Sequence, residues 1–281
     1  MASILRSYNR AFIVGNGFDL NCGYKTSYKN FIESQYFKEI VNNNDICQIL
    51  YRKHKLAKWI DVENEFKEIY KGDISFPIEV NEKRKTEFIE LCGAINKYMN
   101  QIDSNLKDID MNSVYLNKTL GKYDAFNDSY VICFNYTQTI KELIENNNSN
   151  GELIMLHGEA KDNTIILGVE DAANLRKEYD FYYKTSSPYY NCGNVLKQMK
   201  DVKEFIFMGH SFGETDHYFF SNIFKDSCLK NSNDNFRFTI YHYGMDDKRL
   251  IVSEIRQIIG KNGTMMDFYG YNNVEFIDVM N

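Results

Sequence analysis

From residue 129 onward the chain alternates short apolar runs with segments of helical spacing, and this restricts its fold more than any other feature. The runs are "YVICF" (130–134), "GELIMLHG" (151–158), "NTIILGV" (163–169), "EFIFMG" (204–209), "FRFTIYHYG" (236–244) and "NVEFIDVM" (273–280). Between them lie "TQTIKELIEN" (137–146), "DHYFFSNIFKDSC" (216–228) and "KRLIVSEIRQII" (248–259), whose apolar residues recur every three or four positions. Apolar runs of this length with little alternation mark strands buried on both faces, so the pattern predicts a mostly parallel α/β sheet with helices on both sides. The opening of the chain repeats the unit. "RAFIVG" (10–15) reads as a buried strand, "GNGFDLNCG" as a turn, and Tyr28, Phe31, Ile32 and Tyr36 as one face of a helix with Thr26 or Ser27 as its N-cap.

The stretch between these two parts has a different character. Leu56, Trp59, Ile60, Phe66 and Tyr70 share one helical face, as do Phe88, Leu91, Cys92, Ile95, Met99, Ile102 and Leu106, with Gly72 and Pro77 breaking the pattern between them. The expected organisation is an α/β domain of residues 1–40 and 126–281, carrying a helical insertion over 41–125. Glu63 falls on the apolar face of a helix expected over 54–70. A carboxylate there needs a partner, and two readings stand: a salt bridge to a core lysine or arginine, or a lobe that closes its acid over a site. The segment 170–200 is aromatic and irregular, with no period to assign.

Bulk properties narrow the function classes. The sequence is 43% apolar and 26% charged with only two prolines, which describes a folded, aromatic-rich chain and not a disordered one. A formal charge of −6 argues against a nucleic-acid surface and leaves a nuclease the least favoured enzyme class. No membrane-length apolar stretch or signal-peptide core is present, so a cytoplasmic protein is expected. The cysteines Cys22, Cys47, Cys92, Cys133, Cys192 and Cys228 never form C-x-x-C, which suggests neither a disulfide framework nor a zinc knuckle.

Four turns at predicted strand ends carry unusual chemistry: Gly15-Asn-Gly-Phe-Asp-Leu, Phe134-Asn-Tyr-Thr, Leu156-His-Gly and Gly209-His-Ser-Phe-Gly-Glu-Thr-Asp. Ligands of parallel sheets bind where such turns gather. Gly15 and Gly17 would allow close backbone approach to a pyrophosphate. The third glycine position of the dinucleotide fingerprint holds Leu20, however, and no strand with an acidic end follows, which disfavours an ordinary Rossmann dehydrogenase. Taken singly, Asn135 reads as a turn asparagine and His157 as a structural histidine; the functional case rests on their meeting in space.

Gly209-x-Ser211-x-Gly213 has the spacing of a hydrolase nucleophile elbow. A triad needs a later acid and then a later histidine, and only His217, in the next helix, and His242, in the next strand, lie downstream. A nucleophilic Ser211 therefore lacks a partner. The exposed turn suits a phosphate or ribose instead. Metal ligation by His210, Asp216 and His217 is the alternative use of the same segment.

These motifs together resemble the AbiH family of bacterial phage abortive-infection proteins. The resemblance rests on "FIVGNGFDLNCGYKTSYKNF", "WIDVENEF", "FNYTQTI", "LHG" followed by "IILG", and "GHSFGETDHYFF", in family order from residue 12 to 220. That family in turn resembles the sirtuin-like, Rossmann-like NAD-binding folds. The resemblance implies NAD as ligand or substrate, with Gly15, Asn16, Gly17, Phe18, Asp19, Thr26 and Ser27 near the dinucleotide. It implies Asn135 and His157 as the catalytic pair at the nicotinamide ribose, and Gly209, Ser211 and Asp216 on the adenosine or phosphate side. The four-cysteine zinc module of sirtuin deacylases is missing, so peptide deacylation and a metal are not implied. The implied reaction is hydrolysis of the nicotinamide N-glycosidic bond, and the alternative is a nucleotide sensor acting through a partner protein. A toxic hydrolase of this kind is expected to depend on homo-oligomeric assembly.

Overall fold

The computed structural model describes residues 8–57, 62–70, 78–104, 116, 126–229 and 235–280. Six strands form one wholly parallel sheet: β1 (Arg10–Val14), β2 (Tyr130–Cys133), β3 (Glu152–Met155), β4 (Glu204–Met208), β5 (Arg237–His242) and β6 (Asn273–Asp278). Their order is β3-β2-β1-β4-β5-β6. The chain therefore builds outward from β1 to one edge, returns, and builds outward from β4 to the other. The carboxyl ends of β1 and β4 flank the point where the direction reverses.

The residue alternation within each strand assigns two faces. Ala11, Ile13, Ile132, Phe205, Phe207, Phe238 and Ile240 belong to one apolar cluster, while Phe12, Val14, Val131, Cys133, Ile206, Met208 and Tyr241 belong to the other. The first face is covered by α8 (Cys192–Gln198), α9 (His217–Ser227), α10 (Gly244–Ile259) and α11 (Met265–Tyr271), through Val195, Phe220, Phe224, Ile255 and Phe268. The second is covered by α1 (Asn16–Asn21) through Phe18 and by α7 (Thr139–Asn146) through Ile140 and Leu143. Burying a phenylalanine or isoleucine of this kind contributes about 1.5–3 kcal/mol, so central strands buried on both sides hold the fold more firmly than the half-buried edge strands β3 and β6.

A third apolar cluster belongs to the helical lobe. It joins α2 (Tyr28–Glu33), α3 (Gln35–Ile40), α4 (Asp45–Ala57), α5 (Val62–Tyr70) and the 26-residue α6 (Ile78–Asp103). The two helices over 28–40, expected with the sheet, contribute Phe31, Ile32 and Phe37 to the lobe's core. From the other side, Leu167, Val169, Tyr179 and Tyr182 pack into the same cluster, which explains why 170–200 has no regular period. Its conformation follows the lobe surface and not a sheet.

Several expected elements differ. "NTIILGV" is not a strand: Ile166 and Leu167 are buried, but the segment makes only a single parallel bridge, Val169 to Tyr183. A short apolar run carries no information about whether a sheet edge is available to it. Of the helix expected over 54–70, the described residues fall in α4 (Asp45–Ala57) and α5 (Val62–Tyr70); Leu56, assigned to its apolar face, is 87% exposed, whereas Phe66 is fully buried. Trp59, Ile60, Gly72, Pro77 and Leu106 lie outside the described residues. Ser27 is the N-cap of α2, accepting from the Asn30 amide at 3.2 Å. Thr26 instead donates to Asn16 Oδ1 at 2.5 Å.

The junction of the β1 and β4 turns admits no side-chain atom. A methyl group at Gly209, whose φ is +64°, would lie 2.0 Å from the Phe18 amide nitrogen. Gly209→Ala is predicted to cost roughly 2–4 kcal/mol, combining overpacking with left-handed strain. Gly93 in α6 has open space around it, so Gly93→Ala is predicted to gain about 0.5–1 kcal/mol. Urea unfolding of the two variants measures both signs.

Candidate functional site

The first glycine turn is built onto the fourth strand's turn. The Gly15 amide donates to the Met208 carbonyl at 3.0 Å, the Gly17 amide to the Gly209 carbonyl at 2.8 Å, and the Phe18 amide to the Gly15 carbonyl at 2.9 Å. Methyl groups at Gly15 and Gly17 would come within 2.7 and 2.8 Å of the Gly209 carbonyl oxygen. These glycines are therefore required by the approach of another protein turn. The close backbone approach expected at these glycines is made, within the protein, by Gly209. Phe18 is fully buried in the sheet core, whereas Asn16 is exposed at the rim.

Beside this junction two side chains turn unpartnered oxygens inward. Asn135 follows β2 and its Nδ2 donates to the Gly15 carbonyl at 3.2 Å, which fixes the amide orientation and leaves Oδ1 without a hydrogen-bond partner. Asp19, on α1, accepts from Thr137 Oγ1 at 2.5 Å through Oδ2, and its Oδ1 is also without a partner. Thr139 donates to Thr137 at 3.2 Å, extending the ladder that holds the carboxylate. Burial pushes the Asp19 carboxyl up to about 6, against the hydrogen bonds of Thr137, Thr139 and Asn135. Nearby Asp103 is pushed up to about 7, again by burial, with Asp19 and other acids adding to the rise.

A buried charge cluster forms the opposite wall. Lys184 is 1% exposed, and its ammonium lies 2.8 Å from Asp216 Oδ1, 3.2 Å from Glu63 Oε2 and 3.1 Å from the Thr215 carbonyl. Burial alone would lower the lysine's affinity for its proton, but the Asp216 and Glu63 carboxylates outweigh it and hold the ammonium above its ordinary value. Burial likewise opposes ionisation of Asp216; Lys184, His157 and His210 overcome it and hold the carboxyl well below the usual range. His157 Nε2 lies 3.3 Å from Asp216 Oδ1 and 3.4 Å from the Lys184 ammonium. His210 Nδ1 accepts from the Phe212 amide at 3.0 Å, so its Nε2 carries the proton and faces Asp216 Oδ2 at 3.6 Å. Burial lowers the affinity of His210 for a second proton, in keeping with this neutral tautomer.

Glu63 shows where the helical lobe meets this wall. It accepts from Thr215 Oγ1 at 2.7 Å while pairing with Lys184, so the lysine partner expected for it exists and lies at the site. A second lobe residue, Lys67, pairs with Glu214 in the same turn. Helix α5 is thus fastened to the Glu214–Asp216 turn at both ends of one helical turn.

Asp19, Glu63, Asn135, His157, His210 and Asp216 line one cavity of about 780 Å³, within the size range of small-molecule sites. Of the residues singled out from sequence, Gly15, Asn16, Gly17, Asp19, Thr26, Ser27, Glu63, Asn135 and His157 line it, as do Gly209, Ser211 and Asp216. Phe18 alone among them does not. Ser211 is exposed, and the left-handed residues of its turn are Gly209 and Phe212. A nucleophile elbow strains the serine itself, so the geometry agrees with a non-nucleophilic Ser211. His217 turns away to Glu254 at 3.0 Å and does not join Asp216. Lys184 was invisible in the sequence. Thr137 and Thr215 were within reach of it, since each stands inside one of the strand-end motifs.

With six parallel strands in the order β3-β2-β1-β4-β5-β6 and a crevice at the reversal of strand order, the chain has a doubly wound, Rossmann-like α/β architecture. The chain matches the family model described as Bacteriophage abortive infection AbiH over residues 11–238 and belongs to that family of phage abortive-infection proteins. No curated protein matches it. Among the described residues no helix is long and apolar enough to cross a membrane.

Two stability changes follow from the site. The folded pKa of Asp19, about 6, lies above the ordinary carboxyl value of 3.8, so the folded state holds the extra proton in this window. Stability is lost as pH rises from about 4 to 6, by roughly 3 kcal/mol in total. Asp19→Asn is predicted to match the wild type near pH 4 and to exceed it above pH 6; parallel pH–stability curves would contradict this. Lys184→Met strands two buried carboxylates and is predicted to lose about 3–5 kcal/mol at pH 7, read by chemical denaturation.

Proposed function

We propose that this protein binds NAD in the crevice and hydrolyses its nicotinamide N-glycosidic bond as the toxic step of abortive infection. The observation that carries the reading is the convergence of Asn135, His157 and Asp216 with the first glycine turn in a single nucleotide-sized cavity. Gly15 and Asn135 lie 120 residues apart in the sequence, and a shared cavity is what a common ligand requires.

In this reaction the electron pair of the C1′–N bond leaves with the ring, turning a pyridinium cation into neutral nicotinamide. The ribose passes through an oxocarbenium-like state, and water adds to C1′ and gives up a proton. His157 is suited to receive that proton. With its Nε2 proton held on Asp216 at 3.3 Å, it presents Nδ1 as the basic nitrogen, and Asp216 stabilises the imidazolium that forms. Lys184 keeps Asp216 ionised and in place, which makes it a positioning residue. Asn135, fixed by the Gly15 carbonyl, holds the water or a ribose hydroxyl. Carboxylates in a buried setting favour a cationic transition state over the neutral product.

Incubation of the purified protein with NAD, with nicotinamide and ADP-ribose quantified over time, is the test. Release is expected from the wild type, with Asn135→Ala and His157→Ala slowed at least about 100-fold and their thermal unfolding retained. Wild-type turnover in both variants would remove the assignment. Tight NAD binding without nicotinamide release would instead identify a sensor that acts through a partner.

A further inference from the structure

We infer that the end of the cavity at β5 is a second subsite, which takes an uncharged aromatic base and repels an added phosphate, so that the site accepts NAD and discriminates against NADP. The inference deepens the nucleotide reading and rests on it for a ligand with two bases. The residues that build this end lie beyond the stretch matched by the family model, which stops at residue 238.

The sheet sets the scale. The cavity is lined by His157 after β3, Asn135 after β2, Gly15 after β1, Gly209 after β4 and Tyr243 after β5, so it crosses the carboxyl ends of five neighbouring strands. Neighbouring strands lie about 4.8 Å apart, which puts the end of β5 roughly 14 Å from the Asn135 turn and about 19 Å from the His157 turn. A ligand whose reacting carbon stands at Asn135 and His157 therefore reaches β5 only with its other end.

That end has its own chemistry. Tyr243, Asp247 and Leu250 line the cavity and are spaced by four and three residues, so they stand in line along one face at the start of α10. Tyr243 is 57% exposed and Leu250 65%, although both are large and mainly apolar. An aromatic ring and a branched aliphatic chain beside a cavity present the surface on which a heterocyclic base packs. The carboxylate of Asp247 is fixed beside them, accepting from the Tyr243 amide at 2.8 Å through Oδ2.

Nothing cationic offsets that carboxylate. None of the described residues from 237 to 280 that line the cavity is a lysine or arginine. The two basic residues that follow Asp247 are committed elsewhere: Lys248 lies over the Phe276 ring and Arg249 pairs with Asp246. A phosphate at this end would face an acid alone. Dinucleotide sites that take a 2′-phosphate supply an arginine for it, whereas those that take NAD place an acid beside the ribose. In the dinucleotide fingerprint that acid comes soon after the first glycine turn; here the acid is Asp247, in the helix after β5.

The test measures binding of ADP-ribose, and of its derivative phosphorylated on the adenosine 2′-hydroxyl, to the full chain at pH 7 by calorimetry, alongside nicotinamide release from NAD and NADP. ADP-ribose is expected to bind at least about ten-fold tighter than the phosphorylated derivative, the scale of an added phosphate charge beside a carboxylate. Asp247→Asn keeps an acceptor for the Tyr243 amide and is expected to abolish that preference. Tyr243→Ala removes an exposed side chain, so thermal unfolding is expected to be retained while ADP-ribose affinity falls about ten-fold, the worth of one base stacked on an aromatic ring. Equal binding of the two ligands, a preference that survives in Asp247→Asn, unchanged ADP-ribose affinity in Tyr243→Ala, or no binding of either ligand would each overturn the inference. Selective binding without nicotinamide release removes the hydrolase reading and keeps the subsite. Release at equal rates from NAD and NADP keeps the hydrolase reading and removes the subsite.

Discussion

The backbone of the Gly15–Gly17 turn rests directly on the backbone of the Gly209 turn, and the site is arranged around that contact. Two amide-to-carbonyl bonds extend the β1–β4 pairing past the end of the sheet, to Met208 and Gly209. In most doubly wound sheets the reversal point is an open crevice between diverging turns. Here the two turns are joined by those bonds. Asn135 reaches the junction from β2 by donating to Gly15, which is why its carboxamide is held rigidly although it stands in a turn.

Electrostatics hold the other half of the site together. Lys184 comes from an irregular segment, Asp216 from the turn after β4, Glu63 from the helical lobe and His157 from the turn after β3; the Lys184 ammonium is within 3.4 Å of the other three. Burial on this scale is costly for any one of these charges, and only their mutual neutralisation makes it tolerable. The lobe is therefore coupled to the site through Glu63, and any displacement of α5 would leave Lys184 and Asp216 to rearrange. This gives a physical route by which an event at the lobe could reach His157.

What the sequence made legible was tied to the strand ends. Asn135 and His157 could be placed because each follows an apolar run whose role in a parallel sheet fixes where the next residue stands. Ser27 could be placed as a helix cap for a similar reason. Lys184 could not, since it belongs to a stretch whose shape is set by Tyr179 and Tyr182 packing on the lobe, and such long-range packing leaves no period in the chain. Ile165–Val169 was misread for the converse reason: its apolarity reports burial, which the lobe supplies without a strand partner. The glycines were read correctly as sites of close approach, but composition could not say that the approaching group was Gly209.

The central claim is that one ligand spans this crevice with its reacting carbon near Asn135 and His157. A crystal structure of the protein soaked with ADP-ribose tests it most directly. The predicted result is density in the cavity lined by Gly15, Asn135 and Asp216, with the anomeric carbon on the Asn135 and His157 side. A ligand bound away from Asn135 and His157 would contradict it.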